Sequence, residues 1–503
     1  MKNCKISHMK HLFCLAFFTI GSYLLGCKSV LSQAASPDKK NTVVEKTIIL
    51  NTDSTFQVID GFGVNVNPDQ WRNGNLKKAI DLLVDDLGCS AIRLDCFGNG
   101  LWLNPAKMNS NGKWPNEYLK EIYTSKAFTN AWQTFRYFNT KGVKPYMNVS
   151  GIIPDVWNKK GTKELENYEA YAEMQATMVD WARNKEKLNF EFYAPFNETN
   201  FDGTVEGPSI KPQNRTLAFK AIIKKFKEHG LGNLKYIVFC DGSFIPSQIR
   251  YFIVDKELAL QTFAISGHTY GNGDEGDGDN WYDLNSTIGE TIDSIKSSAY
   301  KNSHIWLTEY GDLDQTGEIE WEFAWRCQRR LLRALREGVV LAQQWDAWDS
   351  VHKHDKAWSQ YGIIKTDTTN WSYIPKHRFF AAKHIYKYVR PGWKRIEIKI
   401  PEDKRHTNYV YEWHTRYLRN IKLMAFVSPD GKDFTVTGMN LIESDVVLNI
   451  QLPDVLKDVV KSINNHRTTR HENFVLAENV KIVGNELKVS LKEKSIFSIT
   501  TLK

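Results

Sequence analysis

The 503-residue chain is 42% hydrophobic with a formal net charge of +8, enough to bury the core of one barrel of roughly 250–350 residues plus a smaller domain. Its basic excess is mild and has no basic run interleaved with aromatics, which argues against a nucleic-acid partner. Of the seven cysteines, Cys89, Cys96, Cys240 and Cys327 lack zinc-like spacing and read as buried free thiols.

At the N-terminus, Lys2, Lys5 and Lys10 precede an apolar run from Leu12 to Ile20, the arrangement of a secretory signal and too short for a membrane-spanning helix. Leu24-Leu25-Gly26-Cys27 resembles the bacterial lipobox, in which the thiol is acylated and becomes the first mature residue. Residues 1–26 are therefore predicted to be a lipoprotein signal peptide, with Cys27 as the lipidation point of an exported protein held to a membrane, facing the periplasm or the outside. Its removal takes three lysines and lowers the charge from +8 to +5. Residues 27–42, polar and small, read as a flexible tether.

Val43 to Val58 alternates around Asn51-Thr52-Asp53, which predicts a hairpin that pairs into a later sheet. Gln57 to Gly63 (QVIDGFG) is a strand whose glycines permit close backbone approach. A strand-then-helix rhythm follows. Leu76, Ile80, Leu83, Val84 and Leu87 have helical spacing, with Gly88 as a stop. Ser90 to Cys96 is the second strand, where Arg93 and Asp95 alternate with Ile92 and Leu94. A helix is expected over Tyr118–Asn139, a third strand over Val143–Val149, and a helix over Glu164–Ala182. The fourth strand ends in Pro195-Phe196-Asn197-Glu198, followed by a helix at Leu217–Glu228. Leu234–Cys240 and Thr262–Ser266 are strands five and six, the latter running into His268 and Tyr270. Strand seven begins at His304 and ends in Glu309; strand eight is Gly338–Trp345.

Eight strands with intervening helices, and no Gly-rich phosphate loop, describe a (β/α)8 TIM barrel over residues 59–390 rather than a doubly wound sheet. After a helix at Pro375–Val389 the pattern turns to β-branched alternation, so residues 391–503 read as an appended all-β sandwich.

Two strand-end glutamates, Glu198 and Glu309, fit hydrolysis of a glycosidic bond, which needs a carboxylate on each side of the scissile linkage. A lone glutamate after an apolar strand is usually only a solvated loop residue; the matched pair carries the reading. Arg93 and Tyr270 suit the task of holding Glu309 ionised, although Arg93 could instead be an ion-pair partner for Asp95. Asn197 could bond a sugar hydroxyl, and His268 and Tyr270, which directly follow strand six, are expected to bind substrate. Trp345 could floor a sugar site or simply pack in the core. Trp102, Trp114, Trp157, Trp281, Trp348 and Trp358 occupy loops, as sugar-stacking faces or as anchors. His352, His354 and Asp355 have metal-ligand chemistry, but two-carboxylate hydrolysis requires no metal and no cofactor is predicted.

Together QVIDGFG (Gln57–Gly63), PFNE (Pro195–Glu198), LTE (Leu307–Glu309) and FFAAKHIYKYVRP (Phe379–Pro391) resemble glycoside hydrolase family 30, in the larger clan of retaining (β/α)8 glycosidases. The resemblance implies a β-glycosidase acting on an oligosaccharide or polysaccharide, with Glu198 as acid/base and Glu309 as nucleophile. Asn148 to Trp157 and the loop after strand eight depart from the family pattern. A clan relative with another bond preference, and an inactive carbohydrate-binding lipoprotein, are the alternatives.

Overall fold

A computed structural model describes residues 44–67, 71–96, 102–201, 206–270, 287–311, 320–349, 361–367, 369–401, 421–457, 460, 462–477 and 480–503. The predicted signal and tether, Cys27, Trp281, Trp358, His352, His354 and Asp355 lie outside these residues.

After β1 (Val44–Val58) come eight parallel strands that close into a barrel: β2 (Gly61–Val66), β3 (Ala91–Cys96), β4 (Tyr146–Val149), β5 (Phe192–Ala194), β6 (Lys235–Asp241), β7 (Thr262–His268), β8 (His304–Tyr310) and β9 (Leu341–Gln344). These strands are buried almost throughout, as a sheet covered on both faces requires. Ala91, Tyr146, Ala194, Ile237, Cys240, Ala264, Trp306 and Leu341 form one buried cluster built from β3 to β9. Half of them are small, and the larger ones include the Tyr146 and Trp306 rings, 5.9 Å apart. Gly63 shows why the opening strand needs glycine: a Cβ there would lie 1.5 Å from the Ala91 carbonyl oxygen of β3.

Next come a small hairpin, β10 (Ile364–Asp367) and β11 (Ser372–Pro375), and a helix at His377–Tyr386. The remaining strands are β12 (Lys394–Lys399), β13 (Ile421–Val427), β14 (Phe434–Asn440), β15 (Val446–Gln451), β16 (Asn464–Thr469), β17 (Glu472–Leu476), β18 (Val480–Val483), β19 (Glu486–Leu491) and β20 (Ser495–Thr500). With β1 they make a ten-stranded, mostly antiparallel sheet in the order β17-β16-β20-β14-β13-β12-β1-β15-β19-β18. The architecture is a TIM barrel with an appended β domain.

Alternation sorts this sheet between two cores. Ile421, Leu423, Ala425 and Val427 of β13 join the domain's own apolar cluster. Met424 and Phe426, on the opposite face, belong to the cluster that runs through the barrel helices. His384 on the last barrel helix bonds to this sheet, with Nδ1 2.9 Å from Ser498 Oγ and Nε2 2.8 Å from Thr468 Oγ1.

Several local expectations change. The predicted hairpin at 43–58 is one strand: Val44–Ile49 pairs parallel with β15, and Ile49–Val58 pairs antiparallel with β12 through two register shifts. Asn51-Thr52-Asp53 falls at one of those irregularities, so turn-type residues mark a bulge. The helix expected over Tyr118–Asn139 is two, Asn116–Tyr123 and Lys126–Thr140. The helix after β2 changes from α at Lys77–Asp81 to π at Leu82–Leu87, and Gly88 ends it at φ 90°. The four cysteines of the described region are free and buried. Among the described residues, no helix is long and apolar enough to cross a membrane.

Candidate active site

The barrel brings Arg93, Asn197, Glu198, His268, Tyr270, Glu309 and Trp345 to the C-terminal ends of its strands. β7 runs farther than expected, so His268 lies within the strand rather than after it, and Glu309 is the penultimate residue of β8. By contrast β5 has only three residues and ends at Ala194. The chain then turns so that Glu198 sits at φ 44°, with its N–H donating to the Cys240 carbonyl at 2.8 Å. A left-handed backbone is uncommon for glutamate, and such strain gathers at functional sites.

Arg93 is the hub. Its Nη1 donates to Glu309 Oε1 and Asn65 Oδ1, each at 2.5 Å, and its Nη2 donates to Asn197 Oδ1 at 2.5 Å. Asn65 is itself held by Nδ2 bonds to the Thr308 carbonyl at 3.0 Å and the Gln344 carbonyl at 3.4 Å. Asp95 is engaged elsewhere, accepting from Asn148 Nδ2 at 3.0 Å and Ser150 Oγ at 2.5 Å. Arg93 therefore bonds to the strand-end glutamate rather than to its neighbour on β3.

His268 is fully buried between the two glutamates, with Nδ1 2.8 Å from Glu198 Oε1 and Nε2 3.5 Å from Glu309 Oε1. A carboxylate oxygen of each glutamate and a ring nitrogen of His268 all lie within 4.8 Å of one another. Tyr270 Oη donates to Glu309 Oε2 at 3.2 Å. Asn197 Nδ2 donates to the Glu206 carbonyl at 2.9 Å, which leaves its second N–H for another acceptor.

The two carboxyls differ in surroundings. Burial pushes Glu198 up to about 7, with Arg93 opposing and Asp241 adding to the shift. Burial also raises Glu309, while His268 and Arg93 pull it back. With a guanidinium at 2.5 Å and a phenol donating to its other oxygen, Glu309 is the one placed to stay anionic. Burial lowers His268 to about 4, so its ring is neutral at neutral pH. The tautomer of this neutral ring sets which atom donates in the 2.8 Å contact between Nδ1 and Glu198 Oε1.

Glu198, His268 and Glu309 have the donor types of a cation site. Arg93 already places a permanent positive charge beside Glu309 Oε1. His268 Nε2, 3.5 Å from Glu309 Oε1, is buried without a hydrogen-bond partner among the described residues.

Sequence reasoning missed Asn65 and Glu206. Asn65 could have been found as a polar residue inside the buried run of β2; it is only 4% exposed. Glu206, in a loop without periodicity, gave no signal; burial, Glu198 and Asp95 raise its carboxyl to about 7. Trp345 is half-buried directly after β9, its ring 5.2 Å from that of Tyr361. Trp114, Trp157 and Trp348 are buried, and Trp102 and Trp114 each pack against Trp157 with centroids 6.2 Å apart. These four anchor loops.

No protein-family model and no curated protein matches the chain. Solved structures do. The family 30 subfamily 8 xylanase of Clostridium acetobutylicum is 15% identical with a TM-score of 0.64, over 91% of this chain and 99% of that one. A conserved exported protein of Bacteroides fragilis is 15% identical at TM-score 0.65, over 90% and 100%. An endo-β-1,6-glucanase is 16% identical at TM-score 0.63, over 92% and 96%. The chain has their fold. Enzymes of glycoside hydrolase family 39 align more loosely, a β-xylosidase of Caulobacter crescentus at TM-score 0.57, so the family 30 resemblance holds at the level of three-dimensional architecture.

Proposed function

We propose that the chain is a retaining glycoside hydrolase of the family 30 type that cleaves β-glycosidic bonds in an oligosaccharide or polysaccharide. The observation that carries this reading is the pair of barrel-end carboxyls, with oxygens within 4.8 Å of each other, both raised by burial but only Glu309 bonded directly to Arg93 and Tyr270. Retaining enzymes hold the pair about 5–5.5 Å apart, and inverting enzymes about 6.5–9.5 Å apart to admit a water. The xylanase and glucanase named above support a carbohydrate substrate with a β-linkage.

In the first step a Glu309 oxygen attacks the anomeric carbon, the bond from that carbon to the leaving oxygen breaks, and Glu198 gives its proton to that oxygen. In the second, Glu198, now ionised, takes a proton from water as the water oxygen displaces Glu309 from the anomeric carbon. Arg93 and Tyr270 orient Glu309, and their bonds weaken its basicity before attack. The free N–H of Asn197 suits a sugar hydroxyl beside the reacting carbon. His268 positions the pair instead of touching sugar, and Trp345 offers a ring at the floor. Cys27, after the Leu24-Leu25-Gly26 stretch, would carry the lipid that keeps the enzyme at a membrane.

Proton NMR of the first sugar released from a β-linked substrate tests the mechanism. A β-anomer appearing before mutarotation is expected; an initial α-anomer would refute the retaining assignment.

A further inference from the structure

The turn that delivers Glu198 also delivers an aromatic ring. Phe201 N–H donates to the Glu198 carbonyl at 3.0 Å, closing the turn. The side chain is 39% exposed, and among the described residues no other phenylalanine or tryptophan is exposed. A single exposed phenylalanine needs no explanation by itself. What distinguishes this one is its neighbour: a Cβ on Gly242 would meet the Phe201 ring at 2.5 and 2.7 Å and Glu198 Oε1 at 3.1 Å. The ring and the carboxyl thus border the same small space, which exists because residue 242 has no side chain.

We propose that Phe201 is the platform of the leaving-group subsite, stacking on the apolar face of the pyranose attached to the scissile oxygen. The proposal rests on Glu198 being the acid/base. A proton donor must lie within hydrogen-bond reach of the leaving oxygen, so a ring beside that donor faces what the oxygen carries. An exposed phenyl has no hydrogen-bonding group to select hydroxyls; it selects a flat C–H face. The occupant is therefore a sugar rather than a charged or extended polar group, and Gly242 sets how deep the ring and sugar can sit.

The test compares two substrates that share a glycone. Oligosaccharides of two to six β-linked glucose or xylose units need the leaving-group subsite; the corresponding β-glycosyl fluorides have a leaving atom too small to stack. Phe201→Ala should lower kcat/KM about tenfold on the oligosaccharide, the scale of one lost ring contact, and leave the fluoride reaction unchanged. Phe201→Trp should retain the oligosaccharide activity. Transfer of glycosyl from the fluoride to an added oligosaccharide should fall in Phe201→Ala, because the acceptor enters where the leaving group departs. Equal losses on both substrates, or no loss on either, would overturn the subsite while leaving the hydrolase reading intact. If the wild type acts on no β-glycoside, the hydrolase reading falls and takes the subsite with it.

Discussion

Arg93 lets two neighbouring carboxyls hold different charges. It is buried, bonded to Glu309, and linked to the Glu198 strand end through Asn197. Glu309→Ala should abolish activity on all substrates by several orders of magnitude, the scale of losing a covalent pathway. Glu198→Ala should spare the first step on an activated aryl glycoside, and azide should rescue it with a glycosyl azide of retained β-configuration; azide with Glu309→Ala should give the inverted product. The same configuration from both variants would reverse or remove the assignment. A pH prediction follows from the raised carboxyl. Glu198 must be protonated to act, so kcat/KM on a natural glycan should fall as pH rises through about 7. Stability should follow the same sign, because the folded value lies above the ordinary 4.5. The contribution is complete below about 4.5 and lost as pH passes about 7, and Glu198→Gln should remove up to ~3 kcal/mol of that decline. Urea unfolding of both proteins between pH 5 and 8 measures it; parallel curves would refute the burial argument.

At the scale of elements, periodicity revealed the eight barrel strands because buried parallel strands are apolar runs bounded by turns. It also revealed Glu198 and Glu309, since charged residues stand out where such runs end. Less visible were features set by distant partners. Asn51-Thr52-Asp53 has the composition of a turn, yet β12 and β15 hold it extended as a bulged strand. His268 reads like a loop residue until β8, at the Glu309 position, pairs beside it and carries β7 onward. Glu206 has meaning only through the fold that brings it to the site. Gly63 shows the reverse, a local requirement with a local signature. Gly63→Ala would drive a methyl into the Ala91 carbonyl, and the barrel should lose about 3 kcal/mol, the upper end of the usual range for an overpacked core position. Thermal unfolding checks this; an unchanged Tm would mean that β2 and β3 can separate freely.

For the whole molecule, two tests concern segments before the barrel. If Cys27 bears lipid, Cys27→Ala should move the protein from the membrane to the soluble fraction, and an unchanged fractionation would end the anchor proposal. Removing Val44–Val58 should open two adjacent edges, β12 and β15, and lower solubility through edge pairing; a soluble, equally stable truncation would count against it. The central place of β1 also sets a schedule for biosynthesis. Its partner β12 begins at Lys394 and β15 at Val446, and at roughly 5–20 residues per second these follow on the order of half a minute later. Throughout that interval the first strand among the described residues lacks both of its neighbours in the sheet. The barrel can form while translation continues, but the sheet beside it closes last, around its oldest strand. A nascent chain of this kind should depend on holdase chaperones for that one segment, and a ribosome stalled before Lys394 should display it to protease.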